Sequence, residues 1–303
     1  GAMNSGSKIW RPYQHIFFDC DSTLTRIEGI DELADLVGKG EEIRRLTRLA
    51  MEGAIDLEEA FQKRLELLKP TRGQIEEIGR LYVQNLVPDA RELVRALIFL
   101  GRQVYILSGG FVLALRKLAA HLGIPQANVL GVDLWFDELQ GEWYRYHKHQ
   151  YRPNPDERYL GLDATAPTVR STGKATAIRN LGPLQGGSLL VGDGASDLAA
   201  RGTVDLFVGY GGVARRATVE QGADVFLTHA SLAPVLALAA GQQGAARLLA
   251  SEFADVLRRG AELLARTAVV RRPDLKPLPD EISSWLQRHG HPENTELQTD
   301  GKV

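Results

Sequence analysis

Ile16-Phe17-Phe18-Asp19-Cys20-Asp21-Ser22-Thr23 is an apolar run that ends in two carboxylates, spaced two apart, and a polar loop. Alternate residues on an extended backbone point the same way. Asp19 and Asp21 can therefore face one pocket at the carboxyl end of a buried strand, where open α/β sheets place their ligands. Two like charges that close repel unless a cation neutralises them or one is protonated. The stretch calls for a bound divalent metal or for a nucleophile paired with an acid. The plainer reading is an acidic loop that caps the next helix.

Further apolar runs lie at residues 104–107, 189–191, 206–208 and 225–227, and the first three end in small or polar residues: Ser108-Gly109-Gly110, Gly192-Asp193-Gly194 and Gly209. Helical patterns at 90–100, 112–122 and 174–181 lie between them. Continuous apolar strands alternating with helices predict an α/β fold, a doubly wound parallel sheet of Rossmann-like form. Residues 25–85 break the alternation, with helices only, at 30–37, 41–51, 57–68 and 72–85. Inserted after the first strand, they should form a small helical cap over its carboxyl end. Asp56 with Glu59 reads as a capping-box start for the third of these helices.

The expected division is a catalytic core of residues 8–24 and 86–240, a cap of 25–85, and a C-terminal helical extension of 241–303. Within the core, 136–143 reads as a hairpin, and the aromatic and basic stretch 144–158 as an extended loop. In the extension, 245–266 reads as one amphipathic helix and 281–288 as another, with a disordered tail from His289. Residues 245–288 are open to three placements: against the core, between subunits, or over the cleft. Residues 1–7 look like an expression scar and are set aside.

Bulk properties narrow the function. The 303 residues carry a formal net charge of −2, so no general basic field favours nucleic acid or an anionic membrane. The single cysteine, Cys20, excludes an intrachain disulfide and fits a reducing compartment. No apolar run is long enough to span a bilayer, and a cytoplasmic location is the expectation. Between two carboxylates, Cys20 is a packing side chain rather than a nucleophile, because nearby negative charge raises a thiol pKa.

Several loops carry groups suited to one task. Ser108-Gly109-Gly110 offers a hydroxyl and unhindered amides at a helix start, an anion site or a plain turn. Lys174, in Ser171-Thr172-Gly173-Lys174, stands at a helix start, where the dipole disfavours a cation. That position hints at an anionic partner; the plainer reading is a lysine that faces solvent. Asp193 and Asp197, in Gly192-Asp193-Gly194-Ala195-Ser196-Asp197, would complete with Asp19 a hard-cation site of the magnesium type, or one of them caps the next helix. In the cap, Leu57, Phe61, Arg64 and Leu68 share one helix face, so Arg64 interrupts an apolar stripe. It either snorkels at the stripe's edge or turns into the cleft to hold a carboxylate. Glu28 could hold an ammonium.

Weaker signals are set aside. Gly173-Lys174-Ala175-Thr176 lacks the rest of a nucleotide-binding loop. Gly209-Tyr210-Gly211-Gly212 comes too late in the sheet for a dinucleotide fingerprint. His147 and His149 have no third metal ligand, and the stretch from Tyr144 to Arg152 is too short to argue for RNA binding.

Together, Asp19-Cys20-Asp21-Ser22-Thr23, Ser108-Gly109-Gly110, Lys174 and Gly192-Asp193-Gly194-Ala195-Ser196-Asp197 resemble the four motifs of the haloacid dehalogenase-like hydrolases. Glu28-Gly29-Ile30-Asp31-Glu32-Leu33-Ala34, Ala50-Met51-Glu52-Gly53 and Arg64-Leu65 are similar to segments of the phosphoserine phosphatases within them. The resemblance spans about residues 15–238. It implies a magnesium-dependent phosphatase of serine biosynthesis that acts on O-phospho-L-serine. Asp19 would be the nucleophile and Asp21 the acid and base. Asp19, Asp21 (by its carbonyl), Asp193 and Asp197 would serve the metal. Ser108, Gly109, Gly110 and Lys174 would bind phosphate, and Glu28, Met51, Gly53, Arg64 and Ser196 would surround the rest of the substrate.

Residues 143–158 look like an insertion relative to that family, and the chain beyond about 241 an extension. Leu57 stands where relatives often carry an aromatic. Alternatives are another small phosphate monoester, phosphoryl transfer to a second alcohol, or a catalytically silent scaffold that binds partners through its C-terminal helix. A homodimer is an open assembly state.

Overall fold

Asp19 follows β1 (His15–Phe18), the strand around which the sheet is built. The computed structural model describes residues 7–51, 54–139 and 153–290. Parallel pairing joins β1 to β2 (Gln103–Phe111) on one side and to β6 (Ser188–Gly192) on the other. The sheet order is β3-β2-β1-β6-β7-β8-β9, with β3 at Val129–Val132, β7 at Leu206–Tyr210, β8 at Val225–Leu227 and β9 at Val269–Val270. All pairs in this seven-stranded sheet are parallel except β8 with β9. This is the expected doubly wound α/β sheet, with one antiparallel edge strand added.

The apolar runs are continuous because both faces are covered. Ile16 and Phe18 pack with Val104, Ile106, Leu189 and Val191 on one side, and Phe17 packs with Tyr105, Leu107 and Leu190 on the other. Helices α5 (Ala90–Phe99), α6 (Val112–Leu122) and α7 (Gly173–Asn180) fill the crossovers. The chain runs from β1 out to β2 and β3, then returns to β6 on the far side of β1. That reversal is a topological switch point, so the loops after β1 and β6 open side by side.

Four helices separate β1 from α5: α1 (Gly29–Leu36), α2 (Gly40–Met51), α3 (Leu57–Leu68) and α4 (Arg72–Gln84). The outgoing and returning chains pair where they leave the sheet, Arg26 N donating to Asn85 O and Val87 N to Leu24 O, each at 2.9 Å. The Asp56 side chain makes no capping bond to α3; the capping box is at α4, between Thr71 and Gln74.

β4 (Leu134–Phe136) pairs antiparallel with β5 (Tyr159–Leu162); the hairpin expected over 136–143 runs into residues 140–152, which lie outside the described residues. The single helix expected over 245–266 is two, the end of α10 (Ala233–Leu249) and α11 (Ala254–Thr267). Ser251 makes the break: its hydroxyl donates to Leu248 O at 2.7 Å and accepts from Phe253 N at 3.1 Å, replacing helical bonds. Of the three placements open to residues 245–288, packing against the core is observed. α10 packs on α5, α11 on α10, and β9 extends the sheet beside β8. α12 (Leu278–His289) reaches the start of the chain, where Trp285 meets Trp10 edge to face. The tail beyond residue 290 lies outside the described residues.

Candidate active site

β1 and β6 end in register, Phe18 beside Val191, and the Asp19 amide still donates to Val191 O at 3.0 Å. The chain then turns sharply through residues 20–24, with Ser22 in the left-handed region at φ 57°. Asp19 Oδ1 accepts from the Cys20 amide at 2.8 Å and lies 3.1 Å from Lys174 Nζ. Lys174 donates to Asp197 Oδ1 at 2.6 Å. Thr23 donates to Asp193 Oδ1 at 3.0 Å, and Arg216 lies 3.5 Å from Asp193 Oδ2. A Cβ at Gly192 would overlap the Asp197 carboxyl, so only glycine lets that side chain fold back under the loop.

Asp19, Asp193 and Asp197 form the one metal-sized group among the described residues, with an oxygen of each within 4.8 Å of the others. All three are buried beside a single buried ammonium. Burial, opposed by Lys174 and reinforced by Asp193, pushes Asp19 up to about 7. Burial and Asp19 likewise push Asp197 up to about 7. Burial works against charge on Lys174, but Asp19 and Asp197 outweigh it and raise its pKa. Hard carboxylate oxygens in charge excess are the donor set that suits a small divalent cation.

Asp21 points to the other side of the loop. Its Oδ1 accepts from the Gly29 amide at 2.7 Å and from the Tyr82 hydroxyl at 2.9 Å. Burial raises its pKa against those two donors. Ser22 donates to Glu28 Oε1 at 2.6 Å, and burial followed by the Asp21 charge raises Glu28 to about 7.

Asp19, Asp21, Glu28, Arg64, Ser108, Gly109, Gly110, Lys174, Asp193 and Ser196 line one cleft of about 380 Å³. Asp197 is fully buried and reaches the cleft through Lys174. Ser108-Gly109-Gly110 is not a helix start: β2 runs on to Phe111, shifting register against β3, and α6 begins at Val112. Glycines at 109 and 110 let this extended segment pass the pocket, with the Gly110 amide donating to Ser108 Oγ at 2.9 Å. Arg64 turns to the cleft. Its Nη1 reaches Thr47 Oγ1 at 3.4 Å, while its Nε is buried without a partner. Gly53 lies outside the described residues, and Met51 is described only as the end of α2.

The sequence reading missed Tyr82, Thr23 and the wall formed by Ile30, Phe111, Thr168 and Arg170. Tyr82 lies on a helix face that reads as core. Its one signal is a hydroxyl that must find a partner when buried. Thr168 carries a buried hydroxyl without a partner.

The family model for haloacid dehalogenase-like hydrolases matches residues 13–202. The chain belongs to this family. Among curated members, the chloroplastic phosphoserine phosphatase of Arabidopsis thaliana is 38% identical over 220 residues, 71% of this chain and 69% of that protein. The human phosphoserine phosphatase is 34% identical over 223 residues, 73% of this chain and 92% of that protein. Among solved structures, a phosphoserine phosphatase described as a phospho-aspartyl intermediate analogue shares the fold. It aligns with a TM-score of 0.58 at 23% identity, covering 75% of this chain and 98% of that one. A phosphoserine phosphohydrolase-like protein from Francisella tularensis aligns with a TM-score of 0.55 at 25% identity, covering 71% of this chain and 95% of that one. As a member of this hydrolase family the chain is an enzyme, and no helix among its described residues is long and apolar enough to cross a membrane.

Proposed function

We propose that this hydrolase cleaves O-phospho-L-serine to L-serine and phosphate, with magnesium, through an aspartyl-phosphate. One observation carries the reading. The cleft that holds Asp19 and Lys174 also holds a carboxylate, Glu28, and a guanidinium, Arg64, whose buried Nε has no partner. A phosphate ester that also bears an ammonium and a carboxylate satisfies both. The names of the curated relatives support the same substrate.

In the first step an Asp19 oxygen bonds to phosphorus as the ester P–O bond breaks, and the proton held by Asp21 passes to the departing serine oxygen. In the second, water oxygen bonds to phosphorus, the Asp19 O–P bond breaks, and Asp21 takes the water proton. Lys174, Ser108 and the amides of Gly109 and Gly110 hold the phosphoryl oxygens, over which transition-state charge spreads. Asp19, Asp193 and the Asp21 carbonyl, with Asp197 supporting, are the groups that would hold magnesium, which when bound adds positive charge against those oxygens. Glu28 and Arg64 orient the amino acid, Met51 and Gly53 cover it, and Ser196 borders the phosphate. The four-helix segment of residues 25–85 then serves as a substrate-closing cap on a core of 8–24 and 86–240, and a reducing, cytoplasmic setting suits buried Cys20.

The test is turnover of phosphoserine beside phosphoglycolate and sugar phosphates, with and without magnesium. Phosphoserine should be preferred and the activity should need the metal. Asp19→Asn should abolish both turnover and acid-stable labelling by phosphoserine carrying 32P. Equal rates on phosphoglycolate would overturn the substrate, and a labelled Asp19→Asn protein would overturn the nucleophile.

A further inference from the structure

We infer that Tyr82 is a positioning residue for Asp21, deciding which of its two oxygens meets the leaving group. The inference rests on the phosphomonoesterase reading above. Two donors converge on one Asp21 oxygen: the Tyr82 hydroxyl at 2.9 Å and the Gly29 amide at 2.7 Å, both to Oδ1. A carboxyl proton on Oδ1 would point into both donors, so the proton belongs on Oδ2. That oxygen lies near Gly110 and Ser108, which line the same cleft. A Cβ placed on Gly110 would lie 3.1 Å from Ser108 Oγ, 3.5 Å from the Tyr82 hydroxyl and 3.7 Å from Asp21 Oδ2.

The hydroxyl comes from a rigid base. Tyr82 is 1% exposed, and its helix α4 packs on α6, with Gly79 admitting the Ala114 carbonyl. Position 29 is built to the same shape, since a Cβ there would overlap the Tyr82 hydroxyl. One oxygen of Asp21 is thereby pinned and the other is presented. As the Asp19 O–P bond forms and the ester P–O bond breaks, the Oδ2 proton moves to the leaving oxygen. An acid aimed in this way matters most when the leaving group is a poor one.

The experiment compares kcat/KM of Tyr82→Phe on phosphoserine, which releases an alkoxide, and on p-nitrophenyl phosphate, which releases a stable phenolate. A loss of about tenfold or more on phosphoserine, with less than about twofold on the nitrophenyl ester, is expected for a misaimed acid. Equal losses on both esters would mean a structural role and overturn the inference, as would no loss on either. Gly29→Ala, which displaces the hydroxyl while keeping it, should show the same selective loss. Should the wild-type enzyme reject phosphoserine, the substrate reading alone fails; β-glycerophosphate then replaces it as the alkyl ester and the ratio still tests Tyr82.

Discussion

Lys174 donates to Asp197 Oδ1 at 2.6 Å, and neither side chain reaches solvent to any extent. The same ammonium lies 3.1 Å from Asp19 Oδ1, so one cation serves two buried carboxylates. Removing it leaves both without compensation. Lys174→Met should destabilise the metal-free enzyme by about 3 to 5 kcal/mol, the scale for breaking a buried ion pair, and should abolish most of the turnover. Urea unfolding in EDTA measures the first. A loss below about 1 kcal/mol, the scale of a surface pair, would show that the pair is not desolvated.

Metal-free stability should fall as pH rises. Asp19 and Asp197 sit near 7 in the folded protein, above their ordinary 3.8, so the folded state binds more protons between those values. Their contribution is present below the unfolded value and lost as pH rises through about 7. Thermal melts in EDTA should therefore drop between about pH 4 and pH 7 and level off above, and magnesium should remove most of that drop. A midpoint that rises with pH would contradict the buried carboxylate cluster.

Glu28 predicts a separate pH effect on substrate. Its carboxyl is held near 7 by burial and by Asp21, and only its ionised form attracts an ammonium. KM for phosphoserine should fall as pH rises through about 7 in the wild type. Glu28→Gln should raise KM and flatten the dependence. An unchanged profile in that variant would remove Glu28 from recognition.

Arg64→Ala should cost about 2 kcal/mol or more in kcat/KM on phosphoserine, roughly thirtyfold, by leaving a buried carboxylate unpaired. Phosphoethanolamine, which lacks the carboxylate, should be hardly affected. Arg64→Lys should not restore the rate, because an ammonium cannot reproduce the two-pronged guanidinium contact. Similar losses on both substrates would mean that Arg64 shapes the cleft only.

The C-terminal helices should prove indispensable for folding. Leu257 and Leu264 on α11 and Leu248 on α10 are 0%, 1% and 0% exposed within the main core. Leu257→Ala should cost about 2 to 5 kcal/mol. A chain ending at residue 241 should lose cooperative unfolding in urea. A sharp transition near the full-length midpoint would show that the extension is dispensable.

How far the sequence could be read depended on how local each signal was. Ile16-Phe17-Phe18, the run at 189–191 and the polar residues after them are local patterns, and the strands and the acidic loop followed from them. β3 has only four residues with Gly131 inside, and β9 is two valines, so neither carries enough pattern to stand out. The Ser251 break was also hidden, because a serine inside an amphipathic stretch reads as a solvent-facing polar residue until its hydroxyl is seen to take the place of two helical bonds.

From the chain alone came the residue types at the strand ends: carboxylates at 19, 21, 193 and 197, a hydroxyl with glycines at 108–110, and a lysine at a helix start where the dipole disfavours a cation. Those follow from chain-local periodicity and turn chemistry. Tertiary structure alone decided the partners. The reversal of strand order at β1 sets the Asp19 and Asp193 loops side by side. Folding brings Lys174 between Asp19 and Asp197, and it carries the Tyr82 hydroxyl to Asp21 across 61 positions of sequence. Such pairings depend on how buried faces stack across the sheet, and no window of neighbouring residues contains that information.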